Sequence, residues 1–288
     1  VILVALAIWI IISQSQKSNA VEFSAPSNAQ VIDAPDKDLH LYLWLDNGVP
    51  YYSIVYNNEE IVNASQMGID TTIGNFSSDF QQIEMLSSNF NDTVWSPLVG
   101  EKSEIQDKYN EKVFRLMQRD NKSLSVEVRA YNTGIAFRYL LPDTSVYGDY
   151  TITDEQTRFS LTTKGVALCH ENGQQQIAKK HKIKNLPKET KIHPPLTAEF
   201  DSGTALTLTV SKLDNYAYPL LNKNSRGLLK PIEQEVKVTE NGPTASPYWT
   251  FVIGDSLADL PENKDIILNL NDAPDEEQYR FRQWVKPG

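Results

Sequence analysis

The stretch Arg129-Ala-Tyr-Asn-Thr-Gly-Ile-Ala-Phe-Arg-Tyr139 decides the fold, because it predicts two alternating strands joined by a tight turn. Apolar residues occupy every second position on both sides of the turn, which indicates one buried face. They are Leu124, Val126, Val128 and Ala130 before the turn and Ile135, Phe137 and Tyr139 after it. The turn is Asn132-Thr-Gly134, since Asn and Gly tolerate the positive φ angles of a tight reversal. The sequence predicts a long β-hairpin here.

The same period-two pattern recurs along most of the chain, between turns such as Asp46-Asn-Gly48 and Asn57-Asn58. It predicts strands at residues 40–45, 51–56, 61–62, 204–210, 235–239 and 249–253. Many short strands at this spacing are typical of antiparallel sheets packed face to face. We predict an all-β fold, a large antiparallel β-sandwich.

Three segments depart from this pattern. Residues 103–116, in part, and residues 255–260, directly before Pro261, are predicted to be helical, with a strand as the alternative for residues 103–116 because they also contain strand-like residues. Residues 179–195 collect six lysines and three prolines without apolar periodicity. They are predicted to form a solvated surface loop, with a patch for an anionic ligand as the functional alternative.

Composition limits the class of partner. The chain carries 27 Lys and Arg against 37 Asp and Glu, a formal net charge of −10, so a nucleic-acid backbone would be repelled. With 288 residues, 40% of them hydrophobic, the chain can bury a substantial core as one large β domain or two small ones. The single cysteine, Cys169, excludes an internal disulfide framework, and we predict a packed thiol.

The chain begins with an uninterrupted apolar run over residues 1–12, followed by polar and small residues up to Ala20. The run is short for a bilayer span but suits the hydrophobic region of a signal peptide. Residues 1–20 are therefore predicted to be a signal peptide or the remnant of a membrane anchor. The protein is expected to be exported, to the periplasm or the extracellular space. Because neither Met nor a basic leader precedes Val1, we expect the sequence to be cut at its front end.

Few residues point to chemistry. The sequence contains no G-x-S-x-G elbow, no H-E-x-x-H motif, no Walker loop and no paired-cysteine metal signature, and we assign no catalytic residue. Arg129 and Arg138, on the two strands of the hairpin, could hold a substrate carboxylate or pair with acidic neighbours. Pairing is favoured, because Arg readily forms bidentate links to carboxylates.

The tryptophans divide by context. Trp44 and Trp249 lie in alternating strands and are predicted to be in the core. Trp95 lies near Pro97 and Gly100 in a predicted exposed loop. Since aromatic faces suit pyranose rings, Trp95 is the candidate substrate-binding residue.

The hairpin pattern R-x-Y-N-x-G-x-A-F-R-Y resembles the amino-terminal β-sandwich domain of glycoside hydrolase family 97, a galactose-mutarotase-like super-sandwich. Other stretches fall in the order that this family shows. They are residues 52–57 with 61–62 and 65–68, residues 95–101 with Ile105 and 109–111, and then residues 195–197, 213–216, 248–249 and 284–287. The resemblance implies one domain over residues 21–285. It also implies that residues 286–288 begin a linker to a (β/α)8 catalytic barrel.

The resemblance implies an enzyme that uses calcium to hydrolyse α-glucosidic or α-galactosidic bonds, with its acid and base carboxylates in that barrel. The partners it implies are an α-linked oligosaccharide and the chain's own carboxy-terminal barrel, and this chain alone is expected to be inactive. In the family, the amino-terminal domain lends one Glu to the calcium ion. Glu171, after the strand-like residues 165–168, matches that position, although the aromatic residues usual around it are absent.

Three alternatives stay open. Glu171 could instead be an exposed loop carboxylate, because calcium takes six to eight oxygen ligands and one carboxylate cannot hold it. The chain could also be a free-standing carbohydrate-binding module of the cell envelope, or an envelope protein that uses the sandwich for protein contacts. The choice between glucose and galactose, the stereochemical course and the oligomeric state are not encoded in any motif found here.

Overall fold

The structure is a computed structural model. It describes residues 23–97, 100–173, 177–188, 190–223 and 228–272. The predicted signal peptide or anchor at residues 1–20 and the predicted linker at residues 286–288 lie outside these ranges. So do residues 284–287 of the resemblance. Within the described ranges, no helix is both long enough and apolar enough to cross a membrane.

The described residues form twenty strands, three short α-helices and one 3₁₀ turn. The first ten strands are β1 (Gln30–Asp33), β2 (Leu39–Asp46), β3 (Val49–Tyr56), β4 (Glu59–Gln66), β5 (Ile69–Thr71), β6 (Gly74–Phe76), β7 (Phe80–Trp95), β8 (Ile105–Gln118), β9 (Ser123–Tyr131) and β10 (Gly134–Leu140). The others are β11 (Tyr150–Glu155), β12 (Ser160–Leu161), β13 (Gly165–Glu171), β14 (Lys179–Lys182), β15 (Ile192–Phe200), β16 (Ala205–Ser211), β17 (Leu221–Lys223), β18 (Leu229–Pro231), β19 (Val236–Val238) and β20 (Tyr248–Gly254). The helices are α1 (Thr144–Tyr147), α2 (Leu260–Asn263) and α3 (Asp265–Leu270), and the 3₁₀ turn is Ile183–Asn185.

Three antiparallel sheets build the domain. The large sheet runs β14-β13-β15-β16-β20-β10-β9-β8-β7, with β17 and β18 branching from β15. The small sheet runs β1-β2-β3-β4-β12, and a third sheet runs β19-β11-β5-β6. Apolar residues of all three sheets share one buried core. The predicted all-β antiparallel sandwich is confirmed.

The predicted hairpin is β9–β10, with Gly134 directly opposite Tyr131. The turn differs from the prediction, because only Asn132 and Thr133 connect the strands and neither residue has a positive φ. Gly134 is the first residue of β10, and a Cβ there would lie 2.2 Å from the carbonyl oxygen of Phe251. Glycine is therefore needed for the close approach of β20, not for backbone freedom in the turn.

The meander β2–β3–β4 agrees with the sequence in detail. Its two turns are Asn47-Gly48 and Asn57-Asn58, and all four residues have a positive φ. Two consecutive positive φ values are the geometry that matches the twist of paired strands, which explains the Asn and Gly residues here.

The large sheet is buried on both faces at its centre. Its inner face packs on the common core, while its outer face carries a second apolar cluster beneath α3, which includes Tyr131, Val252 and Ile266. All seven residues of β20 are consequently buried. A strand covered on both faces reads as a continuous apolar run, as residues 249–253 do.

Both helical predictions were wrong. Residues 103–116 lie mostly in β8, which is paired along its length with β7 on one side and β9 on the other. This pairing outweighs any local helical preference. The helix expected at residues 255–260 begins only at Leu260, with Pro261 in its first turn. Proline opens this helix instead of ending it, because the first turn needs no proline N–H.

The basic segment at residues 179–195 was wrongly predicted to be a loop throughout. Its described part contains β14, the 3₁₀ turn and the start of β15. β14 is an edge strand on β13 with mostly exposed side chains, so a lysine-rich sequence is compatible with it.

The other edge of the large sheet is β7, a strand of 16 residues. Among the strands that the structure describes, β7 pairs only with β8. Phe90 and Val94 on it are 60% and 59% exposed, and Met85 and Leu86 are also exposed.

Candidate functional site

The two arginines of the hairpin belong to one ionic cluster on the outer face of the large sheet. Arg129 lies opposite Glu111 and Arg138 lies opposite Glu127 across neighbouring strands. The Arg129 Nε to Glu111 Oε2 distance is 2.9 Å, and the Arg138 Nη2 to Glu127 Oε2 distance is 3.0 Å. Glu127, only 7% exposed, also accepts a hydrogen bond from the Tyr248 hydroxyl.

Aromatic rings complete the cluster. The Arg138 guanidinium lies 4.4 Å from the centre of the Tyr248 ring, and the Arg129 guanidinium lies 4.7 Å from that of Tyr109. Cation–π contact and two facing carboxylates leave these arginines engaged within the fold. The interpretation of Arg129 and Arg138 as structural pairs is confirmed.

Glu171 is the last residue of β13 and is 8% exposed. The alternative of an exposed loop carboxylate is therefore wrong. Its Oε2 accepts a hydrogen bond from Lys179 Nζ at 2.8 Å, and its Oε1 lies 2.6 Å from His181 Nε2. The hydrogen bond from Lys179 lowers the pKa of the Glu171 carboxyl, with His181 adding to the effect, so the group is ionised at neutral pH.

The surroundings of Glu171 do not match the ligand preference of calcium. Cys169, His181 and Lys179 bring sulfur and nitrogen atoms to the carboxylate, and the first two form a possible metal-binding group with it. Calcium takes six to eight oxygen ligands at 2.3–2.6 Å. Among the described side chains of this cluster, only Glu171 offers oxygen atoms to such an ion. A role of Glu171 in calcium binding stays a prediction.

Trp95 is the last residue of β7 and lies opposite Ile105, not in a loop. It is partly buried, and its indole Nε1 donates a hydrogen bond to Asn269 Oδ1 at 2.8 Å. Asn269 in turn donates to the carbonyl oxygen of Gln106 at 2.9 Å. Trp95 therefore joins β7 to α3, and its role in sugar binding stays a prediction.

Trp44 and Trp249 lie in the core, as predicted. The Trp249 indole Nε1 donates to Glu155 Oε1 at 2.6 Å, and the Thr157 hydroxyl donates to the same oxygen at 2.7 Å. Glu155 lies beside a small cavity with Tyr216 in its wall. Burial raises the pKa of the Glu155 carboxyl despite these two donors.

Comparison with known proteins identifies the family. The family model described as glycosyl-hydrolase 97 N-terminal matches residues 32–273. The chain belongs to this family.

Solved structures of glycoside hydrolase family 97 enzymes agree with that assignment. Two structures of an enzyme from a Pseudoalteromonas strain, one in complex with panose and one with acarbose, match with a TM-score of 0.78 and 25% identity. Each match covers 90% of this chain and 40% of that enzyme. A β-arabinopyranosidase shares the fold, with a TM-score of 0.65 and 22% identity over 79% of this chain. The chain thus spans about two fifths of the length of the enzymes it matches.

Within this family 97 domain, sequence reasoning missed three residues of the clusters. Glu127 and Tyr248 were not singled out, although Glu127 alternates with Arg129 along β9 and shares its face. His181, within the basic segment at residues 179–195, was not singled out either. The spacing of Lys179 and His181, two residues apart, was a usable sign that both face the same side of a strand.

Proposed function

We propose that this family 97 domain works as the amino-terminal part of a larger glycoside hydrolase whose catalytic acid and base lie in a following (β/α)8 barrel. The observation that carries the proposal is that this chain matches about 40% of the length of solved family 97 enzymes, with a TM-score of 0.78. The domain would pack on the barrel, and the complete enzyme would hydrolyse α-glucosidic or α-galactosidic bonds of oligosaccharides.

The carboxylates of the domain support a non-catalytic role. Hydrolysis of a glycosidic bond needs two carboxylic groups that flank it, one of them free to donate a proton. Two of the buried carboxylates among the described residues have basic partners. Glu127 contacts Arg129 and Arg138, and Glu171 contacts Lys179 and the His181 imidazole. A third carboxylate, that of Glu155, whose pKa burial raises, is held by hydrogen bonds from the Trp249 indole and the Thr157 hydroxyl. The hydrogen bond from Lys179 lowers the pKa of the Glu171 carboxyl, which does not suit a general acid.

The test compares this 288-residue chain with a longer product of the same coding region. Both would be assayed with an aryl α-glucoside and an aryl α-galactoside. We expect turnover by the longer protein only, with the preferred substrate reporting the sugar specificity. Turnover by the 288-residue chain after removal of contaminating enzymes would contradict the proposal. Saturable binding of maltose or melibiose to that chain alone, measured by calorimetry, would favour a carbohydrate-binding module.

Calcium dependence forms a separate part of the proposal, taken from the resemblance of Glu171 to the family's calcium ligand. In the complete enzyme, Glu171→Gln should weaken calcium retention, because the amide lacks the charge that a hard cation requires. Glu84→Gln on the exposed edge strand is the control. Unchanged calcium dependence in the Glu171 variant would remove Glu171 from the calcium site.

A further inference from the structure

Three side chains of different chemistry meet at the β13–β14 edge of the large sheet. Cys169 and Glu171 are two residues apart on β13, so they share one face of the strand. On the antiparallel neighbour β14, Lys179 lies opposite Cys169 and His181 lies opposite Ala167. The Cys169 Sγ, a carboxylate oxygen of Glu171 and a ring nitrogen of His181 all lie within 4.8 Å of one another.

This set of donor atoms suits a transition-metal ion. Zn²⁺ binds thiolate sulfur at about 2.3 Å and imidazole nitrogen or carboxylate oxygen at about 2.0–2.2 Å, which places ligand atoms of one tetrahedron roughly 3.3–3.6 Å apart. The 2.6 Å between His181 Nε2 and Glu171 Oε1 would have to widen by less than about 1 Å. Sulfur and nitrogen are poor ligands for calcium and good ones for borderline ions such as Zn²⁺.

The charges near the cluster also allow an ion to enter. Lys179 neutralises Glu171 through a 2.8 Å contact, but the Lys179 side chain is 56% exposed. It can therefore turn into solvent and leave the carboxylate to a dication at little cost. The Cys169 thiol would release its proton to solvent, so that one thiolate and one carboxylate balance the two positive charges of the ion.

We propose that Cys169, Glu171 and His181 form a binding site for a divalent transition-metal ion, with Zn²⁺ as the best fit and water as the fourth ligand. The ion would fasten the edge strand β14 to β13. The side chains of β14 are mostly exposed, so its pairing with β13 is what attaches it to the sheet, and an ion would add a second attachment. The site shares Glu171 with the calcium site that the resemblance implies, so the two ions would compete for one carboxylate. It differs in its sulfur and nitrogen donors, and it does not depend on hydrolase activity.

The first experiment measures metal content and affinity in the full chain. Protein stripped with a chelator would be titrated with Zn²⁺ and, separately, with Ca²⁺ by calorimetry, and the bound metal counted by mass spectrometry. Co²⁺ would replace Zn²⁺ as a spectroscopic probe. We expect one equivalent of Zn²⁺ and, with Co²⁺, a thiolate-to-metal charge-transfer band.

Two variants assign the ligands. Cys169→Ser should abolish the charge-transfer band, and His181→Asn should weaken Zn²⁺ binding by at least about 10–100-fold, the loss known for supporting groups alone. His40→Gln is the matched control, because His40 also contacts a carboxylate, Asp33 at 2.7 Å, but was not found in a metal-binding group among the described residues. Circular dichroism would confirm that each variant is folded.

Three results would overturn the proposal. The first is that the wild-type chain binds no stoichiometric Zn²⁺. The second is that Zn²⁺ affinity survives both Cys169→Ser and His181→Asn. The third is that the chain binds Ca²⁺ saturably in place of Zn²⁺ and that only Glu171→Gln removes this binding. The partly exposed position of His181 makes its variant the safer one, since it disturbs the core less than a change at Cys169.

Discussion

Replacing Glu127 by Gln should lower the stability of the domain more than any other single Glu-to-Gln change on the large sheet. Glu127 contacts Arg138 at 3.0 Å and Arg129 at 3.6 Å and accepts a hydrogen bond from Tyr248. The amide keeps the shape and one acceptor but loses the charge. Arg129 then keeps the carboxylate of Glu111, while Arg138 loses its ion pair with Glu127.

The structure gives the size of the effect. Removing one partner from a buried charge pair costs about 3–5 kcal/mol, because the other charge stays buried without compensation. Arg129 keeps its 2.9 Å contact with Glu111, so the lower limit of about 3 kcal/mol applies. For a domain of this size, about 2–4 °C is lost per kcal/mol. The melting temperature should therefore fall by roughly 6–12 °C.

The assay is equilibrium unfolding in urea, followed by tryptophan fluorescence and circular dichroism to check that both report one transition. Glu84→Gln is the control, since Glu84 pairs with Arg115 at 3.7 Å while both side chains are about half exposed. That variant should lose less than about 1 kcal/mol. If Glu127→Gln loses no more stability than Glu84→Gln, the ionic cluster does not stabilise the fold and our reasoning is refuted.

Three further predictions follow from individual contacts. Gly134→Ala should cost at least about 1–3 kcal/mol in urea unfolding, because its Cβ would lie 2.2 Å from the Phe251 carbonyl oxygen; a neutral result would mean that β20 can shift freely. Burial raises the pKa of Glu155 above its ordinary value of 4.5, so the folded state binds this proton more tightly. Relative to Glu155→Gln, wild-type stability should then fall as pH rises from about 4.5 to the raised pKa. A wild-type stability that instead rises over this range relative to the variant would contradict this. Trp95→Phe should cost about 1 kcal/mol through loss of the Asn269 hydrogen bond, measured by thermal unfolding, and should leave any sugar stacking intact; equal stability would show that the bond contributes nothing.

The strands could be predicted where alternation and turn residues agree. The meander β2–β3–β4 is of this kind, because Asn47-Gly48 and Asn57-Asn58 specify turns that local geometry alone decides. The strand β8 could not be found in this way. Its residues bury their side chains only after β7 and β9 have paired with it, and β9 is itself fixed by a hairpin further along the chain.

The candidate sites show the same limit. The face shared by Cys169 and Glu171 could be inferred from spacing within one strand, but the contact with His181 depends on the pairing of β13 with β14. The role of Gly134 was misassigned because the residue that demands a glycine, Phe251, is 117 positions away in the sequence. Pairwise contacts of this range leave no trace in a local pattern.

The edge strand β7 has a consequence for handling the domain by itself. Its 16 residues extend over about 50 Å and offer a row of main-chain donors and acceptors to any extended peptide. Glu84 and Asp92 are exposed charges on the same strand as Phe90 and Val94. Charges placed along an apolar edge strand oppose its pairing with the same strand of another molecule and so oppose aggregation. Recombinant versions of this domain should not lose both acids together, since neutralising both would turn the longest strand among the described residues into a nucleus for aggregation.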